Sequence, residues 1–311
     1  TRVHQVIAEL LPAENFFLAL YDAATDQLSF PYHVDQYDQP PSPGAPESGC
    51  LSAEVIRSGK ALLLTPDTVS QRLAELGSGV GQPAPHWLGV PLMTATGTIG
   101  ALVVQSYSGT VRYTGQDREL LQFVSSQVAA AVERKRTHSH LEYLAQHDQL
   151  TGLANRALFL DRLQNSLKKA RRESTRLAVL YLDMDKFKQI NDSFGHTTGD
   201  WLLREVARRL GQCVRESDTV GRLGGDEFAV LLDTISVKKD ATVVARKILA
   251  ALSEPYVLEG QTLITAPSVG IAVYPEHGQD DLQLIRHADD AMYMAKRDGG
   301  KRYHLSGAQS E

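Results

Sequence analysis

Cysteine is scarce in this 311-residue chain. Only Cys50 and Cys213 occur, too far apart for a CxxC pair and too few for a disulfide framework, which fits a reducing cytoplasmic compartment. Long apolar runs are missing too. The longest run that looks buried, Leu177–Leu182, has the length of a strand and falls far short of the roughly 18 residues a membrane span needs. No membrane span is expected in this fragment. Nor is there an excess of basic charge: 32 Lys and Arg against 37 Asp and Glu give a formal charge of -5, which argues against coating nucleic acid with the whole surface. The chain opens at Thr1 without a methionine or a basic-then-apolar leader, so no signal peptide is expected and the sequence reads as a piece of a longer protein.

What is present divides near residue 133. Residues 1–133 carry 6 Lys/Arg and 13 Asp/Glu, a net of -7, and 10 of the 13 prolines; residues 134–311 carry 26 and 24, a net of +2. A single core stops growing at roughly 250–300 residues, so two folding units are expected: 1–133, a helical linker over 134–146, and 147–311.

The first region reads as mixed α/β. Phe16–Tyr21 and Gln27–Tyr32 have strand character around an Asp-rich turn at Asp22–Asp26. Gln36–Gly49 should be a loop, Leu51–Ser58 a helix stopped by Gly59, and Ala61–Leu64 a short strand closed by Pro66. Trp87–Met93 and Thr98–Gln105 read as two further strands. Cys50, His33 and His86 read as ordinary or surface side chains rather than chromophore, haem or metal ligands. From Gln116 a helical stripe runs through Leu120, Leu121, Val124, Val128, Ala131 and Val132, fades over Lys135–His140 and resumes at Leu141 and Leu144. Two readings stand: a solvated connector, or a short parallel coiled coil between protomers with a phase shift before the second region.

The second region carries chemistry. Leu177–Leu182 is followed at once by Asp183, Met184 and Asp185, which places carboxylates at the carboxyl end of a central strand, where α/β sheets hold ligands. If the strand continues, the two carboxylates share a face; if a turn begins, only one serves, and they could merely cap the next helix. Arg222–Asp233 reads as two strands joined by a tight Gly-Gly-Asp-Glu connection, with Asp226 and Glu227 beside the tip. Neighbouring carboxylates repel, and divalent cations are the simplest remedy; an all-oxygen set favours Mg²⁺ or Mn²⁺ over zinc. Lys188 follows closely enough to reach phosphate. Asn191 and Asp200 offer an amide and a carboxylate able to read a guanine edge; otherwise Asp200 simply caps a helix over Trp201–Leu210, and His196 is a surface group. Arg215 and Asp218 form an RxxD five residues before the Gly-Gly pair, alternatively an ion pair at a helix end.

Two resemblances gather these pieces. WLGVPL at Trp87–Leu92, GALVVQSY at Gly100–Tyr107 and the helix Tyr113–Arg136 resemble a GAF domain, the small-molecule sensor module, with an unreadable ligand. GGDEF at Gly224–Phe228, LDMDKFKQIND at Leu182–Asp192, FGHTTGD at Phe194–Asp200 and DQLTGLANR at Asp148–Arg156 resemble the GGDEF diguanylate cyclase domain. SVGIAVYPEHG at Ser268–Gly278 and ADDAMYMAKRDGG at Ala288–Gly300 extend that resemblance over the whole region.

The resemblance implies an α/β (α+β) architecture, a GAF fold joined by a helical linker to a palm-like βαββαβ domain. It implies condensation of two GTP into cyclic di-GMP and two pyrophosphates by a homodimer. It implies two Mg²⁺ (or Mn²⁺) per half-site on Asp183, Asp226 and the Met184 carbonyl, with Glu227 in support and Asp226 as the base. It places guanine on Asn191 and Asp200 near His196, phosphates on Lys188 and Lys296, and inhibitory product on Arg215 and Asp218. Many relatives carry Arg-Asn where Gly300 and Lys301 stand, so that arginine's phosphate contact is lacking unless Lys301 or Arg302 replaces it. A nucleotide receptor without turnover, or a regulatory fragment of a larger cyclase or phosphodiesterase, is the alternative.

Overall fold

The computed structural model describes residues 2–45, 50–76, 84–258 and 260–307. Part of the expected loop, 46–49, lies outside the described residues. The chain divides into two compact units, Thr1–Ser139 and His140–Glu311.

In the first unit the order is α1 (Arg2–Leu10), β1 (Asn15–Asp22), β2 (Gln27–Val34), α2 (Leu51–Ser58), β3 (Leu62–Leu64), α3 (Pro66–Leu76), β4 (His86–Thr94) and β5 (Gly97–Ser106), followed by α4 (Gly115–Gln146). The strands form an antiparallel sheet in the order β2-β1-β5-β4-β3. Period two sorts adjacent residues to opposite faces. Phe16 packs with Ile7, Leu121 and Val128 under α1 and α4, whereas Phe17 packs with Val55, Ile56 and Val69 under α2 and α3. Helix α2 stops where Gly59 turns left-handed, at φ 62°, and returns its N–H to Val55.

Two expectations need correction. Pro66 does more than close β3: it opens α3, because the first turn of a helix has no use for the N–H that proline lacks. His86 is no surface group; it starts β4 and is buried. His33 is half-buried and stacks on Phe17 with ring centroids 5.3 Å apart.

The second unit continues from the end of α4 through α5 (Arg156–Glu173), β6 (Arg176–Met184), α6 (Phe187–Phe194), α7 (His196–Cys213), β7 (Thr219–Gly224) and β8 (Glu227–Ile235). It ends with α8 (Lys238–Ser253), β9 (Tyr256–Leu258), β10 (Gln261–Leu263), β11 (Pro267–Tyr274), α9 (Asp281–Arg297) and β12 (Tyr303–Leu305). The main sheet has the order β12-β11-β6-β8-β7, with β6 in the centre. Leu180 and Leu182 of β6 face the core beneath α7 and α8; Val179 and Tyr181 face that beneath α5 and α9. By the same alternation Asp183 belongs to the α9 side. That helix lies directly on β11, since a Cβ added at Gly270 would overlap the Ala288 carbonyl and the Met292 N–H.

Candidate active site

Strand β6 delivers Asp183 into a row across the sheet, opposite Glu227 on β8 and Ser268 on β11. The strand then ends at Met184, so of the two carboxylates only Asp183 serves the site. Asp185 turns away and fastens the strand end. Its N–H donates to the Ala266 carbonyl at 2.9 Å, and its carboxylate accepts from Ser268 Oγ at 2.8 Å and from the Lys301 N–H at 2.9 Å.

That contact explains Gly300. Its φ is 70°, and any Cβ there would overlap the Asp185 carboxylate, so this backbone admits only glycine. Arg302 does not reach across in place of the missing arginine; its Nε donates to the Gly300 carbonyl at 3.2 Å and closes its own turn.

The hairpin tip between β7 and β8 places Gly224 at φ 154° and Gly225 at φ 49°, and it carries the half-buried Asp226 and Glu227. Arg222 holds the tip. Its Nε and Nη2 donate to the Gly225 carbonyl at 2.9 and 2.7 Å, while Nη1 reaches both oxygens of Asp148 at 3.0 and 3.1 Å. Asp148 also accepts from the Thr151 hydroxyl and N–H, and the Arg222 N–H donates to Ala154. The 148–155 turn is in turn tied to the end of α4: the Asn155 N–H donates to Gln146 at 2.9 Å and its side chain to Ala145 at 2.7 Å.

The electrostatics are unbalanced. Burial, reinforced by the negative charges of Asp226 and Glu227, pushes the Asp183 carboxyl up to about 6, although the Lys296 ammonium opposes the shift. Lys296 Nζ lies 2.6 Å from Asp183 Oδ1. Tyr181, one strand period before Asp183, donates its hydroxyl to Glu227 Oε2 at 3.0 Å and orients that carboxylate. Among the described residues no group of three His, Cys, Asp or Glu side chains is gathered as a metal shell. The donor set nonetheless suits a hard cation: Asp183, Asp226 and Glu227 offer oxygen only, at one strand end, with one lysine against them.

Helices α6 and α7 meet at Gly195, which takes φ 85°. Asn191 is half-buried on α6; its Oδ1 is sealed from solvent and accepts no hydrogen bond from the described residues. Gly199 makes room for it, because a Cβ there would overlap that oxygen. His196 and Asp200 are exposed on the first turns of α7, so Asp200 lies inside the helix rather than capping one at Trp201. Lys188 is exposed on the first turn of α6.

The Arg215–Asp218 segment is a turn after α7, not a helix-end ion pair. Asp218 accepts from the Arg215 N–H at 3.0 Å and returns its own N–H to the Arg215 carbonyl at 3.0 Å, while the Arg215 side chain is exposed.

A family model described as diguanylate cyclase, GGDEF domain, matches residues 145–302, and a GAF domain model matches residues 1–133. The chain is 47% identical over 161 residues to diguanylate cyclase TpbB of Pseudomonas aeruginosa, covering 51% of this chain and 37% of that protein. It is 40% identical over 167 residues to cyclic di-GMP phosphodiesterase PdeR of Escherichia coli, covering 54% and 25%. The chain thus spans well under half the length of these relatives. Among solved structures, the isolated GGDEF domain of TpbB is similar at 46% identity and a TM-score of 0.51, over 51% of this chain and 94% of that one. The coiled coil and GGDEF domain of DgcB from Caulobacter crescentus, in complex with c-di-GMP, is similar at 29% identity and a TM-score of 0.53, over 60% and 98%.

Proposed function

Because the chain belongs to the GGDEF diguanylate cyclase family, with a GAF domain ahead of its GGDEF domain, we propose that it is itself a working cyclase. It joins two GTP into cyclic di-GMP with release of two pyrophosphates. The observation that carries this reading is the carboxylate row at the ends of β6 and β8, where Asp183 is pushed up to about 6 beside Asp226 and Glu227. A folded protein keeps such repulsion where a ligand relieves it.

Asp183, Asp226, Glu227 and the Met184 carbonyl would hold Mg²⁺ or Mn²⁺, two per half-site. When bound, the metal supplies charge neutralisation for the triphosphate and for the attacking oxygen. Asp226 takes the proton of the ribose 3′-hydroxyl as that oxygen attacks the α-phosphorus of the second nucleotide and pyrophosphate departs. Asn191, with its unmatched acceptor, receives a guanine N–H; Asp200 contributes a second acceptor, and His196 stands beside the base. Lys188 and Lys296 bind phosphate oxygens. Each GGDEF domain holds one GTP, so the reaction needs two copies of the chain face to face. The GAF domain, residues 1–133, takes a small-molecule effector and acts through the helix over 134–146 on the cyclase at 147–311. Product binds at Arg215 and Asp218 and restrains turnover.

The test is a turnover assay: purified chain with GTP and Mg²⁺ forms cyclic di-GMP, detected by mass, and the Asp226→Ala variant forms none. Gly300, which removes the arginine of many relatives, favours a second reading, a guanine-nucleotide receptor without turnover. Calorimetric GTP binding without product under any dimerising condition would select it.

A further inference from the structure

Lys296 reaches Asp183 from the last turn of α9, and the pair is close, at 2.6 Å. The Asp183 side chain is 12% exposed and that of Lys296 35%, so the carboxylate is covered while the lysine stem still has solvent to move into. The oxygen that Lys296 approaches, Oδ1, is sealed from solvent. Helix α9 cannot retreat to loosen the pair, because Ala288 and Met292 sit against Gly270 with no room for a methyl group. The turn after the helix is equally fixed, by Asp185 against Gly300 and the Lys301 N–H. The mobile part is therefore the lysine side chain itself.

An ammonium and a divalent cation cannot both take the same carboxylate oxygen. Removing the lysine without replacement leaves a covered carboxylate uncompensated beside Asp226 and Glu227, which is costly. We propose that Lys296 is a built-in stand-in for the metal: in the nucleotide-free protein it holds Asp183 and keeps the divalent cation out, and it yields that place when triphosphate oxygens offer it another anion. One lysine charge is then used at two positions in succession. Metal affinity at Asp183 becomes coupled to nucleotide binding, and by linkage the coupling is reciprocal. The inference rests on Asp183 as a metal ligand, as set out above.

Manganese titration of the full chain without nucleotide, read by electron paramagnetic resonance, tests it. Lys296→Gln, and Lys296→Met as a second variant that keeps the apolar stem, should bind Mn²⁺ at least about tenfold more tightly than the parent protein. Adding Asp183→Asn to either should abolish the gain. Unchanged Mn²⁺ affinity in both lysine variants, while Asp183→Asn still weakens binding in the parent chain, would overturn the stand-in role and leave the metal assignment in place. Mn²⁺ binding indifferent to Asp183→Asn in every background would overturn the metal assignment and this inference with it. Thermal melts of all variants verify that they are folded.

Discussion

The two units share a construction and treat a buried carboxylate in opposite ways. Each is built on a five-stranded sheet covered on both faces. Beside the end of β5 in the first, Asp35 accepts from the Tyr37 and Asp38 N–H groups, from Gln105 Nε2 at 2.6 Å and from the Tyr107 hydroxyl at 3.1 Å. Burial alone would raise its carboxyl, but these donors outweigh it and hold Asp35 below the ordinary carboxylate range. At the end of β6 in the second, burial wins at Asp183, with one lysine for a partner and two carboxylates as neighbours. A carboxylate supplied with donors fastens a loop. One denied them is tolerated only where something else arrives to neutralise it.

The contrast can be broken first at Asp183. Asp183→Asn should lower cyclic di-GMP formation by about a thousandfold, the scale of losing a metal or oxyanion contact, while the melting temperature of the unit stays level or rises. A clear drop in stability would make Asp183 a structural residue like Asp35. Next is the clamp on the hairpin tip. Arg222→Ala strands Asp148 and frees the Gly225 carbonyl; the pair is partly exposed, so about 2 kcal/mol is expected rather than the full cost of a buried pair, confined to the second unit in a denaturant titration. Activity should fall with it, and retained full activity would show that the tip needs no external support.

The smallest effect is expected at Asp35. Asp35→Asn should cost the first unit about 1 kcal/mol at neutral pH. Because the folded carboxyl is depressed, its contribution is present above the unfolded value, about 3.9, and is lost as pH falls through the lower folded value. The gap between parent and variant should therefore close below about pH 4 in an acid-unfolding series. A gap that widens toward acid would reverse the assignment.

Much of this was legible in sequence, and the gaps have physical causes. The β6 run, the Gly59 stop and the glycine tip are local patterns, set by periodicity and by φ, and they stand where expected. Pro66 and His86 misled because a proline after a strand and an isolated histidine each fit two environments, and only packing chooses between them. The choice between Asp183 and Asp185 depends on Ala266 and Ser268, far along the chain, which take hold of Asp185. Arg222 with Asp148, and Lys296 with Asp183, are likewise meetings between distant segments that no local pattern announces. Gly300 reads in sequence as a lost arginine; in the fold it is a space requirement.

Helix α4 has a consequence of its own. It runs unbroken for 32 residues, about 48 Å, and ends on the turn whose Asp148 holds Arg222 and, through it, Gly225. Such a shaft transmits azimuth. Each residue inserted within it turns its exit by about 100°, whereas seven return it to nearly the starting angle, with about 20° of drift. Exchanging the sensor ahead of this cyclase is therefore a problem in gearing: transplants cut in whole heptads keep the catalytic tip in phase, and those cut elsewhere do not.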